Sequence, residues 1–341
     1  MLTIPRLDGV VDLNRLEVGA PVSEPLLVWD VEQRSAGAQP FVVLTLGNCK
    51  GRLQSAPFWP EDLRKLEGIE RGAIVNVRGE IATYRERRQL KVAQIRRLPG
   101  DGVAWPALMP SVGDTSRYWG PLDQWRLGMR APRLRALLDL FYEDPGFRQA
   151  YGECPASLNG HHALLGGLLQ HTWEVASIGQ RLAEATGADR DLVLTGALLH
   201  DIGKLESYTW SGSFAMTDRG SLCGHVVLGS LMLEQRLRTT TSSPCSGPEH
   251  DLLHHLILSH HGLLEHGAPV TPMTLEAEIL HFADNASART ASMVEALADP
   301  QNFSGADQVS ARPMWQLDRR RVYRGKSDWG RDAAGFPDRN P

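Results

Sequence analysis

The stretch LLHDIGK, residues 198–204, ends an apolar segment with His200 and Asp201 side by side, and a glycine and Lys204 follow. A carboxylate at the end of a buried helix is costly unless it is paired, so Asp201 needs a partner. One interpretation is an ion pair between Asp201 and Lys204 or an arginine. The other is a metal ion that binds His200 and Asp201 together, and this stretch alone leaves both open.

The histidines favour the metal. All 12 lie between His161 and His281, and their confinement to one segment indicates a metal site there. Further nitrogen and oxygen ligands lie near apolar stretches at His171, His225, His260, His261 and Asp284. Imidazoles combined with two aspartates suit Mn²⁺, Fe²⁺, Ni²⁺ or Zn²⁺ better than Ca²⁺. Asp201 can bridge two such ions, which would bind a phosphoryl group and activate water, and Lys204 can meet a phosphate oxygen.

The spacing of the apolar residues divides the chain into a β-rich part and a helical part. Residues 26–98 read as five short strands with a charged helix or turn between the third and the fourth, which is the order of an OB-fold barrel. From residue 126 onward apolar residues recur three and four positions apart, which predicts an all-helical domain. Residues 99–125 are rich in Pro and Gly without periodicity and predict an interdomain linker.

Composition excludes several classes of protein. The chain contains no apolar run of about 18 residues, so no transmembrane helix is expected, and its N-terminus lacks the pattern of a signal peptide. Four scattered cysteines disfavour a disulfide framework or a thiolate zinc site and are typical of a cytoplasmic protein. A net charge of −4 disfavours a strongly basic nucleic-acid binder. The two ends are nevertheless basic around an acidic middle, which predicts either polyanion binding or solvated surfaces.

The order H…HD…H…HH…D resembles the HD superfamily of metal-dependent phosphohydrolases. The strings similar to the HD domain of the YhaM family of 3′-to-5′ exoribonucleases are HHALLGGLLQHT, LTGALLHDIGK, TDRGSLCGHVVLG, LILSHHG and EAEILHFADN. Upstream, VVLTLGNCKGRLQSAPFW and GEIATYRERRQLKVAQIRR resemble the N-terminal nucleic-acid-binding domain of that family. The domains expected are therefore an OB-fold at 1–98, a linker at 99–125, an HD domain at 126–311 and a basic C-terminal tail at 312–341.

The resemblance implies divalent metal ions, two per chain, with Mn²⁺ favoured and Fe²⁺, Ni²⁺, Co²⁺, Mg²⁺ and Zn²⁺ as alternatives. The ligands implied for one ion are His171, His200, Asp201 and Asp284. Those implied for the other are Asp201, His225 and His260. The residues expected to act in catalysis are Asp201, Lys204 and His261, with His261 contacting substrate or orienting a ligand. For His161 and His162, substrate contact and helix entry both stay open.

RNA binding requires aromatic and basic residues on one face of the barrel, because rings stack on bases and cations follow the phosphates. The residues predicted to form this face are Lys50, Arg52, Trp59, Tyr84, Arg87, Arg88 and Lys91. Each aromatic ring has the barrel core as its alternative. The C-terminal run QLDRRRVYRGK is either a further RNA contact or a solvated tail.

The sequence therefore predicts a cytoplasmic, metal-dependent 3′-5′ exoribonuclease that acts on single-stranded RNA, with single-stranded DNA as a further substrate and no membrane association. Two alternatives are an HD phosphohydrolase of small nucleotides and a nucleic-acid-binding protein with a non-catalytic HD domain. The OB-fold disfavours the first alternative, and the complete set of ligands disfavours the second. A homo-oligomer is left open.

Overall fold

The computed structural model describes residues 10–37, 39–84, 87–99, 105–325 and 329. Parts of three predicted segments lie outside the described residues, namely residues 1–9, 38, 85 and 86 of the barrel, 100–104 of the linker, and 326–328 and 330–341 of the basic tail. No helix in the described part of the chain is both long enough and apolar enough to cross a membrane.

The N-terminal domain is the predicted five-stranded barrel. Its strands are β1 (Pro21–Ala36), β2 (Gln39–Asn48), β3 (Gly51–Gln54), β4 (Ile74–Tyr84) and β5 (Arg87–Arg97). They pair antiparallel in the order β3-β2-β1-β4-β5. A parallel bridge between Ser55 and Leu90 joins the two edge strands and closes the barrel. A 3₁₀ helix at Pro60–Leu66 lies between β3 and β4, so the OB-fold prediction is confirmed.

Alternation along β1 gives the barrel an inner and an outer apolar face. Leu26 and Val28 are buried in the barrel core. Leu27 and Trp29 point outward and pack against the second domain, where the Trp29 and Phe214 rings meet edge to face at 6.5 Å. A strand buried on both faces reads as a continuous apolar run rather than as an alternating one, which is why LLVW shows no polar position.

The C-terminal domain is helical, as predicted, with one added two-stranded hairpin. Its helices before the hairpin are α1 (Trp105–Leu108), α2 (Ser116–Leu127), α3 (Pro132–Tyr142), α4 (Pro145–Glu153), α5 (Gly167–Thr186), α6 (Arg190–Leu199) and α7 (Lys204–Ser207). The hairpin is formed by β6 (Tyr208–Thr209) and β7 (Ala215–Met216). The later helices are α8 (Asp218–Cys223), α9 (His225–Thr239), α10 (Gly247–Ser259) and α11 (Leu275–Ala298). Short 3₁₀ turns occupy Leu264–His266, Pro300–Asn302 and Trp315–Leu317.

Capping residues fix the start of two helices that carry candidate ligands. Asp189 accepts hydrogen bonds from the backbone N–H groups of Asp191 and Leu192 and starts α6. Thr274 caps α11 through the N–H of Ala277 at 3.1 Å. Such caps contribute about 1 kcal/mol each. In the interior, the Tyr142 hydroxyl donates to the carbonyl of Leu198, which anchors the end of α6 in the core.

Two predicted segments contain more structure than their composition suggested. Residues 99–125, expected to be a linker, contain α1 and most of α2, because Tyr118 and Leu122 bury on the helical core. The described part of the predicted tail, residues 312–325, packs Leu317 and Val322 on the end of α11. Burying one such aliphatic side chain contributes about 1.5–3 kcal/mol toward ordering a segment that lacks periodicity.

Candidate metal centre

Five helices deliver the candidate ligands to one place. His171 lies in the first turns of α5, His200 caps the end of α6, His225 begins α9, His260 caps the end of α10 and Asp284 lies within α11. Asp201 follows His200 directly. Gly203 permits this convergence, because a Cβ at Gly203 would meet the carbonyl oxygen of His225 at 2.0 Å. The glycine of LLHDIGK therefore lets α9 approach the end of α6.

The first ligand group surrounds Oδ2 of Asp201. Nε2 of His200 lies 3.1 Å from this oxygen, and Nε2 of His171 lies 3.5 Å from it. His171 Nε2 is also 3.0 Å from Oδ1 of Asp284, and the Nε2 atoms of His171 and His200 are 3.3 Å apart. The structure thus brings together the four residues expected around one ion.

The second ligand group surrounds Oδ1 of the same carboxylate. Nε2 of His225 lies 3.4 Å from Asp201 Oδ1, and Nε2 of His260 lies 3.8 Å from it. His261 adjoins this group, since its ring centroid is 4.3 Å from that of His260. The ligand nitrogens of His225, His260 and His261 lie within 4.8 Å of one another. His261 therefore lies beside the second ligand group.

Hydrogen bonds at Nδ1 fix the form of the imidazoles. His200 Nδ1 donates to the carbonyl of Ala197 at 2.9 Å, and His260 Nδ1 donates to that of Ile257 at 2.7 Å. His261 Nδ1 lies 2.9 Å from the carbonyl oxygen of His266. Because a carbonyl oxygen only accepts, Nδ1 carries the proton in each neutral ring. Nε2 then presents its lone pair to the site, which is the form that binds metals.

A polar chain behind the first group orients His171. Its Nδ1 lies 2.9 Å from Ser287 Oγ, which in turn donates to Glu174 Oε2 at 2.7 Å. The other oxygen of Glu174 contacts His162 Nε2 and Gln170 Nε2, both at 3.1 Å. Sequence reasoning did not single out Ser287 or Glu174. The sequence feature that could have identified them is a polar residue about one helical turn after a candidate ligand. Glu174 follows His171 by three positions, and Ser287 follows Asp284 by three.

The site contains buried polar atoms that call for a cation. Within the described part of the chain, Asp201 Oδ1 and the Nε2 atoms of His225 and His260 are buried without a hydrogen-bond partner. Buried polar atoms normally have a partner. Two imidazole lone pairs converging on a carboxylate oxygen are a donor set that divalent transition metals accept. The residues present therefore fit a bound metal.

Electrostatics keep these groups in the protonation states that ligands require. Burial alone would raise the pKa of Asp201, but the Lys204 ammonium and His200 outweigh it and hold that pKa well below its usual range. Burial lowers the pKa of His260 far below its usual value, and burial together with Lys204 lowers the pKa of His225 to about 3. At neutral pH the carboxylate is charged and these two imidazoles are neutral, as metal binding demands.

Lys204 satisfies the other interpretation of LLHDIGK at the same time. Its Nζ donates to Asp201 Oδ2 at 2.6 Å, and both side chains are buried. Burial would lower the pKa of Lys204, but the adjacent Asp201 raises it above its usual value, so the ammonium stays charged. The ion pair and the ligand cluster therefore coexist around one carboxylate.

A cavity of about 240 Å³ opens onto both ligand groups. Ser157, His161 and Tyr208 line its wall beside the ligands and Lys204. Burial lowers the pKa of His161 to about 4, so this ring faces the cavity uncharged. His162 instead is buried against Glu174 with a positive φ of 53°. The two neighbouring histidines thus have different positions, one at the cavity and one behind it.

The barrel residues expected to contact RNA differ in exposure and in their partners. Lys50 and Arg87 are exposed, as is Tyr84 with 59% of its surface accessible. Lys91 is exposed and pairs with Glu80 at 3.1 Å. Trp59 is half-buried against Phe41, with ring centroids 5.1 Å apart, so it belongs partly to the barrel.

Two of the expected arginines have structural contacts. Arg88 donates to the carbonyls of Leu13, Asn14 and Leu16 and so holds the segment before β1 on the barrel. The Arg52 guanidinium lies over the Trp29 ring at 3.3 Å, next to the contact between the domains. The sequence predicted that both arginines belong to an RNA-binding face, but it did not reveal these partners.

The fold and the ligand arrangement define an HD-type metal-dependent phosphohydrolase domain, and residues 168–289 match the HD domain family. An HD domain implies binding of divalent metal, and the His and Asp clusters agree with this. The chain is similar to the 3′-5′ exoribonuclease YhaM of Shouchella clausii, with 32% identity over 90% of this chain and 94% of the relative.

Two other relatives extend the similarity. The protein of the same name from Listeria innocua is 32% identical over 79% of this chain and 85% of its own length. The Bacillus subtilis protein is 30% identical over 82% of this chain and 89% of its own. The chain belongs to the YhaM family of 3′-5′ exoribonucleases, which confirms the resemblance seen in its sequence.

Proposed function

We propose that this chain is a metal-dependent 3′-5′ exoribonuclease that hydrolyses the terminal phosphodiester of single-stranded RNA. One observation carries the proposal: Asp201 directs Oδ2 toward His200 and Oδ1 toward His225, so one carboxylate serves two ligand groups. Such a shared carboxylate suits a pair of divalent ions acting on a phosphoryl group. The substrate class rests on the relatives, which bear the name 3′-5′ exoribonuclease.

The proposal assigns two ions per chain, with Mn²⁺ favoured because imidazole and carboxylate ligands are mixed. The ligands assigned to the first ion are His171, His200, Asp201 and Asp284. Those assigned to the second are Asp201, His225 and His260. His261 adjoins the second group and is the residue best placed to act both on the substrate and as an additional ligand.

Bound divalent ions supply charge neutralisation at the phosphoryl oxygens and an activated water. The chain's own residues orient the reaction around them. Lys204, buried beside Asp201 Oδ2, presents a permanent positive charge at the cavity wall, where it can donate to a phosphate oxygen. His261, with Nδ1 held by the carbonyl of His266, turns a neutral Nε2 toward the substrate. His161 and Tyr208 complete the wall that receives the terminal nucleotide.

The barrel supplies the path of the strand in this proposal. Exposed Lys50, Tyr84, Arg87 and Lys91 offer cations and a ring for phosphates and bases. The outer face of β1 packs beside Phe214, in the hairpin that begins at Tyr208. The domain that binds the strand is thereby coupled to the wall of the cavity. We extend the proposal to single-stranded DNA as a second substrate and to a cytoplasmic location.

The proposal also keeps the domain division expected from the sequence. Residues 1–98 bind the strand, residues 126–311 hydrolyse it, residues 99–125 connect the two, and residues 312–341 form the basic tail.

A time course with 5′-labelled single-stranded RNA tests the function. Purified protein with Mn²⁺ should produce a ladder that shortens from the 3′ end, and a chelator should stop it. Asp201→Asn should lower the rate at least about a thousandfold, since loss of a metal-based interaction removes several kcal/mol of transition-state stabilisation. Asp307→Asn, at an exposed carboxylate outside the site, is the matched control and should cleave normally.

Two results would overturn the proposal. RNA left intact by metal-loaded, folded protein would exclude ribonuclease activity, and release of nucleotides from free nucleoside triphosphates under the same conditions would favour a small-nucleotide phosphohydrolase. Equal rates for the wild-type protein and Asp201→Asn would remove Asp201 from the mechanism. Circular dichroism of each variant separates loss of chemistry from loss of fold.

A further inference from the structure

A second group of ligand-type side chains lies away from the candidate metal centre, between α9 and α10. Glu234 projects from α9, and His250 and His254 lie one turn apart on α10. His250 Nε2 is 2.9 Å from Glu234 Oε2, and His254 Nε2 is 3.6 Å from the same oxygen. The two Nε2 atoms are 3.0 Å apart. We refer to Glu234, His250 and His254 as the distal cluster.

The spacing of the three atoms matches a tetrahedral metal site. Zn²⁺ binds imidazole nitrogen and carboxylate oxygen at about 2.0–2.1 Å, which places neighbouring ligand atoms about 3.3 Å apart. The three edges of the distal cluster, 2.9, 3.0 and 3.6 Å, lie around this value. Histidines at positions i and i+4 of one helix point to the same side, so α10 presents both rings to the carboxylate on α9.

Contacts behind the distal cluster prepare its ligand atoms. Ser230 Oγ lies 2.6 Å from His254 Nδ1, so that nitrogen can donate its proton there and leave Nε2 as an acceptor. Arg238 Nε donates to Oε1 of Glu234, and this contact leaves Oε2 facing the histidines. The side chains of Glu234 and His250 are 29% and 30% exposed, so water can reach a fourth coordination position.

We propose that Glu234, His250 and His254 form a further divalent-metal site of the Zn²⁺ class, which ties α9 to α10 at the end remote from the candidate metal centre. Glu234 follows His225 by nine residues and His250 precedes His260 by ten, so about 14–15 Å of helix separates the two places. This site does not rest on the proposed function, because it uses none of the residues assigned to hydrolysis.

The position suggests what the ion does. His225 stands at one end of α9 and His260 at the end of α10, and both face Asp201. An ion held by the distal cluster fixes the other ends of the same two helices. Binding to the folded state alone stabilises that state in proportion to the metal concentration, and it holds the second ligand group in register.

Metal counting tests the distal cluster directly. Full-length protein is stripped with chelator, loaded with Zn²⁺, freed of excess metal and analysed by plasma mass spectrometry. The double variant His250→Gln/His254→Gln should retain one ion per chain fewer than wild type. Asp307→Asn, which removes an exposed carboxylate outside both clusters, should retain the wild-type number.

Co²⁺ adds a spectroscopic signature. Tetrahedral Co²⁺ absorbs visible light strongly, so loaded wild type and Asp307→Asn should absorb more per chain than the double variant. Zn²⁺ should raise the thermal midpoint of wild type more than that of the double variant. If the double variant does not fold, Glu234→Gln, which retains size and hydrogen bonding, gives the same comparison.

Equal metal counts and equal Co²⁺ spectra in wild type and folded variant would overturn the proposal. A variant that is less stable to the same extent with and without Zn²⁺ would likewise reduce the distal cluster to a hydrogen-bonded ion pair.

Discussion

Asp201 and His225 lie 3.4 Å apart, Oδ1 to Nε2, although one follows the end of α6 and the other begins α9. The other oxygen of Asp201 faces the first ligand group, so the position of α9 decides whether the carboxylate serves one group or two. Both atoms of this pair are buried without a hydrogen-bond partner among the described residues. A cation held between these two buried atoms would give each of them a partner.

Gly203 should be essential for this arrangement. A Cβ there would lie 2.0 Å from the carbonyl oxygen of His225 and 2.3 Å from the nitrogen of Gly229, and both are backbone atoms that cannot turn aside. We expect Gly203→Ala to lower the free energy of unfolding by at least about 1–3 kcal/mol and to lower the bound metal per chain. Urea unfolding and metal analysis check both effects. Gly247→Ala, where a Cβ meets nothing within 4 Å, is the control.

Ser287 should act through His171 rather than on the substrate. Ser287→Ala breaks the link from His171 Nδ1 to Glu174 and frees the ring to rotate. We expect Mn²⁺ affinity to fall about 10–100-fold, with the rate largely recovered at saturating Mn²⁺. Titration of RNA hydrolysis with Mn²⁺ measures this. Ser177→Ala, which removes a hydroxyl bonded only to the carbonyl of Trp173, should leave the titration unchanged; a shift of equal size in both variants would argue against a specific role for Ser287.

Arg87 and Arg88 are neighbours with different expected phenotypes. Arg88→Ala removes the donors to the carbonyls of Leu13, Asn14 and Leu16, so we expect lower stability of the barrel. We expect Arg87→Ala to leave stability unchanged and to weaken RNA binding. The RNA affinity of this variant should also depend less on salt concentration than that of wild type. Thermal unfolding and RNA binding at two salt concentrations separate the two. Equal loss of stability in both variants would contradict this division.

The pH dependence of stability should report the buried imidazoles. Burial lowers the pKa of His225 to about 3, below the ordinary value of 6.5. Because the unfolded chain takes up this proton more readily, the contribution of His225 to stability is complete above the unfolded value and is lost as the pH falls toward the folded value. In chelator, the unfolding free energy should therefore decline over this window. His225→Asn should show a shallower decline, and identical pH profiles would contradict the assignment.

Much of the fold, and the grouping of the candidate ligands, could be predicted from the sequence for physical reasons. Only a few residue types bind metal ions. An adjacent His and Asp at the end of an apolar helix place the Asp201 carboxylate where it needs a cation or a metal ion as partner. Helical periodicity predicted the helical second domain. Five short strands with one helix between the third and the fourth predicted the barrel. His171, His225 and Asp284 were found because each lies beside an apolar stripe that must face the core.

Other features depend on contacts across the chain, which one sequence does not display. Arg88 reads as a surface cation, but its guanidinium is held by carbonyls more than 70 positions away. Residues 99–125 read as a linker because Pro and Gly interrupt the helical spacing of apolar residues. Tyr118 and Leu122 are nevertheless buried in the helical core. His250 and His254 are one helical turn apart in the sequence, but only the approach of Glu234 on α9 reveals the three residues as a group.

The central claim is that one carboxylate, Asp201, lies between two divalent ions in an RNA-hydrolysing centre. Crystals of the protein grown with Mn²⁺ and measured at the manganese absorption edge test it most directly. Two anomalous peaks should lie on opposite sides of the Asp201 carboxylate, one beside His171 and His200 and the other beside His225 and His260. A single peak, or peaks that leave either oxygen of Asp201 uncoordinated, would contradict the account.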